Sequence, residues 1–249
     1  MFDSVPVTTS SVTSTPDWAV RAVRALATPA GLPARPGGLP VLPVLHPVLS
    51  SLPRGQVVSV PDGPAAGGRS AILPWALAAQ ASADGSWCAA VGLPEAGVLA
   101  AADLGVDPDR LAFVDAPGRR WADVVATLLG AVDLVVTRPT HRPAPALLRR
   151  LTGLARQRGS VLVVVGDWEG AALRVRVAES SWAGVGAGHG RLFGRRARVE
   201  VSGRGADARV RACWLWLPDP DGQVRAVRPD EIPGHVPDRA AGVRLAAVG

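Results

Sequence analysis

Residues 56–70 read QVVSVPDGPAAGGRS, and this stretch decides how the fold is interpreted. The apolar run QVVSV is typical of a buried strand, and the following segment, SAILPWALAAQASA at 70–83, has helical spacing. Between them, Gly63 and Gly68 precede Arg69 and Ser70 with the spacing of a phosphate-binding loop. Such loops wrap a phosphate with backbone N–H groups at a helix N-terminus. The stretch therefore predicts a working nucleotide site or the relic of one.

Several residues argue for the relic. Arg69 stands where such loops carry lysine, and its planar fork places the charge differently from a point-like ammonium group. Pro64 removes one backbone donor from the loop. The fourth apolar run, VDLVVT at 132–137, leads into Arg138, where a nucleotide hydrolase needs an aspartate to organise magnesium and water. Because an arginine cannot ligate magnesium, the sequence predicts a catalytically reduced site.

Alternating strands and helices define the fold class. Short apolar runs rich in β-branched residues alternate with alanine- and leucine-rich segments at helical spacing. Strands that are apolar on both faces indicate a mostly parallel sheet sandwiched by helices, an α/β fold. The strands are predicted at 56–60, 86–91, 110–115, 132–137 and 160–165.

The alternation changes after Gly170. Residues 171–182, 195–203, 208–218 and 222–229 alternate polar and apolar side chains, which favours antiparallel strands at the end of the sheet. We therefore predict three parts: residues 1–38, a flexible N-terminus with a short helix and a proline-rich connector; residues 39–228, the α/β core; and residues 229–249, a C-terminal tail.

Composition limits the function classes. The chain has 249 residues, a formal charge of +6 and no lysine, and this favours anionic partners or reflects a GC-rich genome. We expect Cys88 and Cys213 to be buried free thiols, and the scattered histidines lack metal-ligand spacing.

The N-terminus lacks the pattern of an export signal and no apolar run is long enough to span a bilayer, so we expect a cytoplasmic protein that does not associate with membranes.

The densest basic run is GRLFGRRARVEVSGRG at 190–205. It predicts a contact with a phosphate backbone or with an acidic protein surface, and a solvated hairpin is the alternative. Trp214 and Trp216 share one face of a later strand, where they are either covered or exposed for docking. The candidate DNA- or partner-binding residues are Arg191, Arg195, Arg196, Arg198, Arg204, Trp214 and Trp216.

The order of these segments resembles the ATP-binding core of RecA recombinases. The resemblance rests on the glycine loop, LGVDPDRLAFVDA at 104–116, AVDLVVTR at 131–138 and GSVLVVVGD at 159–167. The degenerate loop, the LPVL connector before it and the terminal GRR, GRG and LWLP segments are similar to ImuA-type proteins, those of actinobacteria in particular. The resemblance covers roughly residues 39–217.

The resemblance also implies roles for single residues. Gly63, Gly68, Arg69 and Ser70 take the phosphate-loop positions, and Glu95 falls near the place of the RecA-type catalytic glutamate. Asp167 stands where a nucleotide-sensing glutamine ends the fifth strand. These places would form a vestigial nucleotide site. No catalytic residue and no metal ligand is assigned.

The implied role is that of an accessory protein in DNA-damage-inducible mutagenesis. ImuA-type proteins work with ImuB, an inactive Y-family polymerase homologue, and through it with an error-prone C-family polymerase. We therefore expect an adaptor in translesion synthesis that needs no cofactor and contacts an ImuB-like protein, with RecA and DNA as further possible partners. Two alternatives stay open: an ATPase or ATP-binding switch that uses ATP and magnesium, and a DNA-binding regulator of recombinase filaments.

Overall fold

A computed structural model describes residues 37–63, 72–186, 189–204 and 208–232. The predicted N-terminal helix, the loop residues Gly68, Arg69 and Ser70, and most of the predicted C-terminal tail lie outside these ranges. The sequence-based expectations for those segments therefore stay predictions.

One nine-stranded sheet organises the described chain, with the strand order β11-β10-β9-β8-β3-β7-β6-β4-β5. Six neighbouring strands, from β8 to β5, run parallel, and β9, β10 and β11 each pair antiparallel to the preceding strand in the chain. The strands are β3 (Val57–Val60), β4 (Cys88–Val91), β5 (Leu111–Val114), β6 (Leu134–Thr137), β7 (Val161–Val165), β8 (Leu173–Gly186), β9 (His189–Gly203), β10 (Arg211–Trp216) and β11 (Arg225–Ala226). The predicted α/β class is confirmed. Antiparallel pairing after Gly170 is also found, between β8, β9, β10 and β11, but β8 itself pairs parallel with β3 on its other side.

Helices cover both faces of the parallel strands. They are α1 (Ile72–Ala83), α2 (Val98–Asp103), α3 (Trp121–Leu128) and α4 (Pro145–Arg158). Alternate residues of each strand enter two separate cores, so that Val163 packs on the side of α1 and α2 and Val164 on the side of α3 and α4. This two-sided burial explains why the strands read as continuous apolar runs.

The described part of the proline-rich connector packs on the α1 side. It forms a small two-stranded sheet from β1 (Leu39–Pro40) and β2 (Ser51–Leu52), with a turn of 3-10 helix at Pro43–Leu45. Leu39, Leu45 and Val48 are buried in the α1-side core. The apolar residues of this proline-rich segment therefore pack onto the core.

Strands β8 and β9 form a long antiparallel hairpin. Leu173, the first residue of β8, pairs with Val58 of β3, and β8 continues for fourteen residues whereas β3 has four. At about 3.3 Å per residue, most of the hairpin lies beyond the carboxyl end of β3. Its inner face, with Val175, Val199 and Val201, joins the α1-side core.

Candidate functional site

The carboxyl ends of β3, β4, β6 and β7 meet at one edge of the sheet, where open α/β sheets bind their ligands. Arg138 follows β6 directly, and its backbone N–H donates to the carbonyl oxygen of Val91 at the end of β4, 3.1 Å away. Gly92 has a positive φ of 71°, and a Cβ there would lie 2.8 Å from the Arg138 carbonyl oxygen. Glycine is therefore needed for the two strand ends to approach this closely.

Two carboxylates surround the guanidinium of Arg138. Its Nη1 forms an ion pair with Oε1 of Glu95, and its Nη2 lies 3.4 Å from Oδ1 of Asp62. The Arg138 side chain is 9% exposed, against 31% for Glu95 and 38% for Asp62. The cation is thus largely buried and balanced by the two acids. We call Asp62, Glu95 and Arg138 the edge cluster.

The edge cluster has clear chemical consequences. A magnesium ion needs oxygen ligands, and the buried guanidinium occupies the end of β6 with five donors and no acceptor. A carboxylate held in an ion pair is also a weak general base, because protonating it would break the pair. Glu95 is therefore engaged in structure at the place where the RecA resemblance expects a catalytic glutamate.

Thr137, the last residue of β6, is equally committed to structure. Its hydroxyl donates to the carbonyl oxygen of Val91 at 3.0 Å and accepts from Nε1 of Trp121 at 2.7 Å. Both Thr137 and Trp121 are fully buried. The hydroxyl therefore ties α3 to the strand ends and does not face a ligand.

A cavity of about 640 Å³ opens beside the edge cluster. Its volume lies in the range of small-molecule sites, about 300–1,000 Å³. Arg138, Arg142 and His141 line it together with Asp62, Asp167 and Glu169. Both signs of charge are present, and Asp167 is paired with Arg174 at 2.6 Å.

Of the predicted phosphate-loop residues, the structure describes Gly63, which lies just after β3 and next to Asp62. Gly68, Arg69 and Ser70 belong to the undescribed residues 64–71. Glu95 does lie at the predicted edge, in contact with Arg138. Asp133, the residue before β6, accepts from Arg54 at 2.9 Å and from the backbone N–H of Trp87 at 3.1 Å. It therefore lies at the amino ends of the strands, at the edge opposite the edge cluster.

The predicted basic run is not a row of exposed cations. Arg195 is 1% exposed, its Nε donates to the carbonyl oxygen of Leu217 at 3.0 Å, and its guanidinium lies 5.7 Å from the ring centre of Trp182. Burial lowers the pKa of Arg195. The assignment of Arg195 to a surface contact is therefore wrong. Its position on an inward-facing site of β9 decides its burial.

The other arginines of the run have mixed environments. Arg198 pairs with Glu200 at 2.8 Å and with Glu179 at 3.1 Å, so its charge is balanced across the hairpin. Arg196 donates to the carbonyl oxygen of Glu231 at 2.6 Å. Arg204 is exposed, and the side chain of Arg191 lies outside the described part of the chain.

Trp216 is a covered residue of the outer sheet face. It is 6% exposed and lies between the guanidinium groups of Arg196 and Arg225, 5.5 and 5.0 Å from its ring centre. Its Nε1 donates to Glu231 at 3.2 Å. A Cβ on Gly194 would come within 2.8 Å of the indole, so the glycine makes room for it. Trp216 is thus enclosed by arginines and unsuited to docking, whereas Trp214 is half-buried.

Glu231 joins this enclosure from the predicted tail. Its carboxylate accepts from Arg225, Arg228 and Trp216, and the side-chain bond from Arg225 does most to hold its pKa well below the usual range. Residues up to 232 therefore pack on the sheet. Sequence reasoning missed Glu231 because a lone acid in a proline-rich segment carries no periodic signal.

Both cysteines are free thiols. Burial raises the pKa of Cys88 to about 12 and that of Cys213 to about 11. The prediction of free thiols is confirmed, with Cys88 fully buried and Cys213 half-buried.

No helix of the described residues has the length and apolar character needed to cross a membrane. Within the same ranges, no group of three or more His, Cys, Asp and Glu side chains is arranged to hold a metal ion.

Fold and site together define an α/β protein whose strand-end edge is closed by an internal ion-pair cluster. A family model described as the MT3502 N-terminal domain matches residues 46–170, about half of the chain, including β3 to β7 and the edge cluster. The chain is also 36% identical over 164 residues to a Mycobacterium tuberculosis protein described as uncharacterized protein Rv3395c, and the match covers 62% of this chain and 76% of that protein. The chain belongs to the MT3502 N-terminal domain family.

Proposed function

We propose that this chain is a non-catalytic RecA-like accessory protein of a DNA-damage-inducible mutagenesis complex, an adaptor that binds an ImuB-like Y-family polymerase homologue. The carrying observation is the ion pair between Arg138 and Glu95 at the carboxyl edge of the sheet. In the RecA-like interpretation, the pair joins the residue in place of the metal-organising aspartate to the residue near the place of the catalytic glutamate. The two side chains neutralise each other's charge. The edge therefore stays folded, but at these two places it has neither a carboxylate to organise magnesium nor a free glutamate to activate water.

The sheet supports the RecA-like interpretation. Strand β3, which leads into the glycine loop, lies between β7 and β8 and is followed by α1. A phosphate-binding loop requires this strand-loop-helix order at the carboxyl end of an inner strand. The resemblance to ImuA-type proteins, argued from sequence, supplies the biological role.

The projecting hairpin offers the adaptor a docking surface. Trp182 of β8 and Leu192 and Phe193 of β9 are each about half exposed. We call these three residues the hairpin patch. Protein interfaces commonly use large apolar side chains that are exposed in the free protein as anchors. Leu192 and Phe193 lie within the predicted basic run at 190–205, and Trp182 lies on the facing strand, opposite Arg195.

A binding experiment tests the adaptor role. The full chain is titrated with the ImuB-like protein of the same organism in a calorimeter. We expect a stable complex, and Trp182→Ala with Phe193→Ala should weaken it by about tenfold or more, the loss typical of removing interface anchors. The matched control removes the exposed residues Val98 and Leu99 of α2, distant in sequence from the hairpin, and should leave affinity unchanged. Absence of a complex with the unmodified chain would overturn the proposal.

A second candidate function is an ATP-binding switch without hydrolysis. The cavity beside the edge cluster favours it, because about 640 Å³ accommodates a nucleotide and Arg138, His141 and Arg142 line it. Calorimetry with ATP and magnesium decides between the two functions. ATP binding that disappears in an Arg69→Ala variant would support the switch function. Absence of ATP binding by the unmodified chain would exclude the switch and leave the adaptor function as the proposal.

A further inference from the structure

The arginines of this chain divide into two groups. Eight of the described arginines form ion pairs with carboxylates, so part of the positive charge of the chain is neutralised locally. The balanced ones are Arg54, Arg110, Arg138, Arg174, Arg176, Arg198, Arg225 and Arg228.

The arginines of α4 and of the loop before it belong to the other group. Arg142, Arg149, Arg150 and Arg156 are exposed and make no ion pair or hydrogen bond with any described residue. Between Asp133 and Asp167 the sequence contains six arginines and neither aspartate nor glutamate. Charge is therefore concentrated on α4 and left uncompensated there.

Helix geometry arranges these charges on the solvent side. Leu151 and Ala155 are buried against the sheet, and Arg149 and Arg156 lie on the opposite side of α4. Seven residues separate these two arginines, a distance of about 10 Å along the axis at 1.5 Å per residue. Arg150 flanks them. We call Arg149, Arg150 and Arg156 the α4 arginine face.

A glycine interrupts this face. Gly153 lies between Arg149 and Arg156, is exposed and has no heavy atom within 4 Å of where a Cβ would stand. Glycine inside a helix is destabilising relative to alanine. The gap lets an extended backbone come close to the helix between the arginines.

Arg204, at the end of β9, lies close to the same helix. It lines a cavity of about 190 Å³ with Arg149, Leu148 and Glu169. Glu169 is the carboxylate among the residues that line this cavity, and Asp167 lines the adjoining one and pairs with Arg174. The positive charge of the unpaired arginines therefore extends along α4 from Arg149 to Arg156.

The types of exposed residue on the α4 arginine face indicate which kind of partner it binds. Protein interfaces depend on aromatic and aliphatic anchors, and the exposed residues of α4 are arginine, glycine, glutamine, alanine and proline. A phosphate backbone needs only spaced cations that it can approach closely. We propose that the α4 arginine face, with Arg204, binds the phosphate backbone of a nucleic acid. Apart from Arg204, which directly follows β9, this surface lies on α4 and not on the β8–β9 hairpin, and the proposal is independent of the translesion role.

Salt-dependent DNA binding tests the proposal. The full chain is titrated into fluorescent single-stranded and duplex DNA of about thirty nucleotides or base pairs, at several salt concentrations. The test variant carries Arg149→Gln, Arg150→Gln and Arg156→Gln. We expect an affinity loss of about tenfold or more and a salt slope reduced by about 2 on single strands, since each lost phosphate contact removes about 0.7. The single-strand and duplex arms show which form is preferred.

A control of equal charge isolates the surface. Arg209→Gln, Arg211→Gln and Arg228→Gln remove the same net charge from exposed positions after the hairpin and should cost less than about threefold in affinity. Circular dichroism confirms that both variants fold. Equal losses in the two variants, an unchanged salt slope, or no DNA binding by the unmodified chain would overturn the proposal. So would binding of poly-glutamate in place of DNA, which would indicate an acidic protein partner. All measurements use the chain alone, so they are unaffected if the adaptor role fails.

Discussion

Arg138 at the end of β6 is paired with Glu95 in the loop after β4, and the pair closes the edge where parallel strands present their carboxyl ends. Buried ion pairs rarely add much net stability, because desolvation offsets their attraction. Removing one partner is costly, however, because it leaves the other charge without compensation. The pair therefore occupies the strand-end edge with protein side chains. It is also a place where a single substitution should destabilise the fold.

Replacing Arg138 by glutamine should lower the free energy of unfolding by about 2 kcal/mol, because two partly buried carboxylates would lose their shared cation. Urea denaturation measures the change. The Glu95→Gln variant serves as the comparison and should lose less, because Asp62 still balances Arg138. Equal stability of Arg138→Gln and the unmodified chain would show that the cluster contributes nothing to folding.

Thr137→Val should destabilise the chain by about 2–3 kcal/mol, because it leaves the indole N–H of Trp121 and the carbonyl of Val91 without this hydroxyl. Thr137→Ser keeps the hydroxyl and should lose much less. Thermal unfolding of the two variants provides the test, and similar losses in both would contradict the assigned hydrogen bonds.

The carboxylate of Glu231 should make stability depend on acidity. Its folded-state pKa is depressed below its ordinary value of 4.5, chiefly by the hydrogen bond from Arg225. A depressed carboxylate stabilises the fold above its unfolded pKa, and this contribution is lost as the pH falls below about 4.5. Glu231→Gln should therefore be less stable than the unmodified chain at pH 7, with the gap narrowing toward pH 3. A gap that does not change with pH would refute the role of ionisation.

Both thiols should resist alkylation in the native protein at neutral pH. Burial raises the pKa of Cys88 to about 12 and of Cys213 to about 11, and the thiolate is the reactive form. Mass spectrometry after iodoacetamide treatment should show both thiols unmodified until urea unfolds the chain. Rapid native labelling of Cys88 would contradict its burial.

Much of the fold follows from the sequence, because strands buried on both faces are apolar throughout and stand out between helical segments. The five predicted parallel strands appear at the predicted places, as Val161–Val165 illustrates for residues 160–165. The position of Arg138 at the strand-end edge was also accessible, since the residue after an apolar strand must lie there.

The partners of side chains were less predictable. The sequence gives no sign that Arg138 contacts both Glu95 and Asp62, because these residues meet only when separate strand ends come together. In the sequence, Arg195 belongs to a basic run typical of a surface. Only the register of β9 shows that its side chain points inward and is buried. The α4 arginine face could be read from the sequence as a run without acids, but the sequence does not show that its arginines are exposed and lack ion pairs.

The most direct test of the central claim is phosphate release by the purified chain with ATP and magnesium, with and without DNA, beside a Glu95→Gln variant. The closed edge predicts release indistinguishable from protein-free buffer under every condition, because Arg138 offers no oxygen ligand for magnesium and holds Glu95 in an ion pair. Release clearly above that background in the unmodified chain, and abolished by Glu95→Gln, would contradict the account and identify the protein as an ATPase.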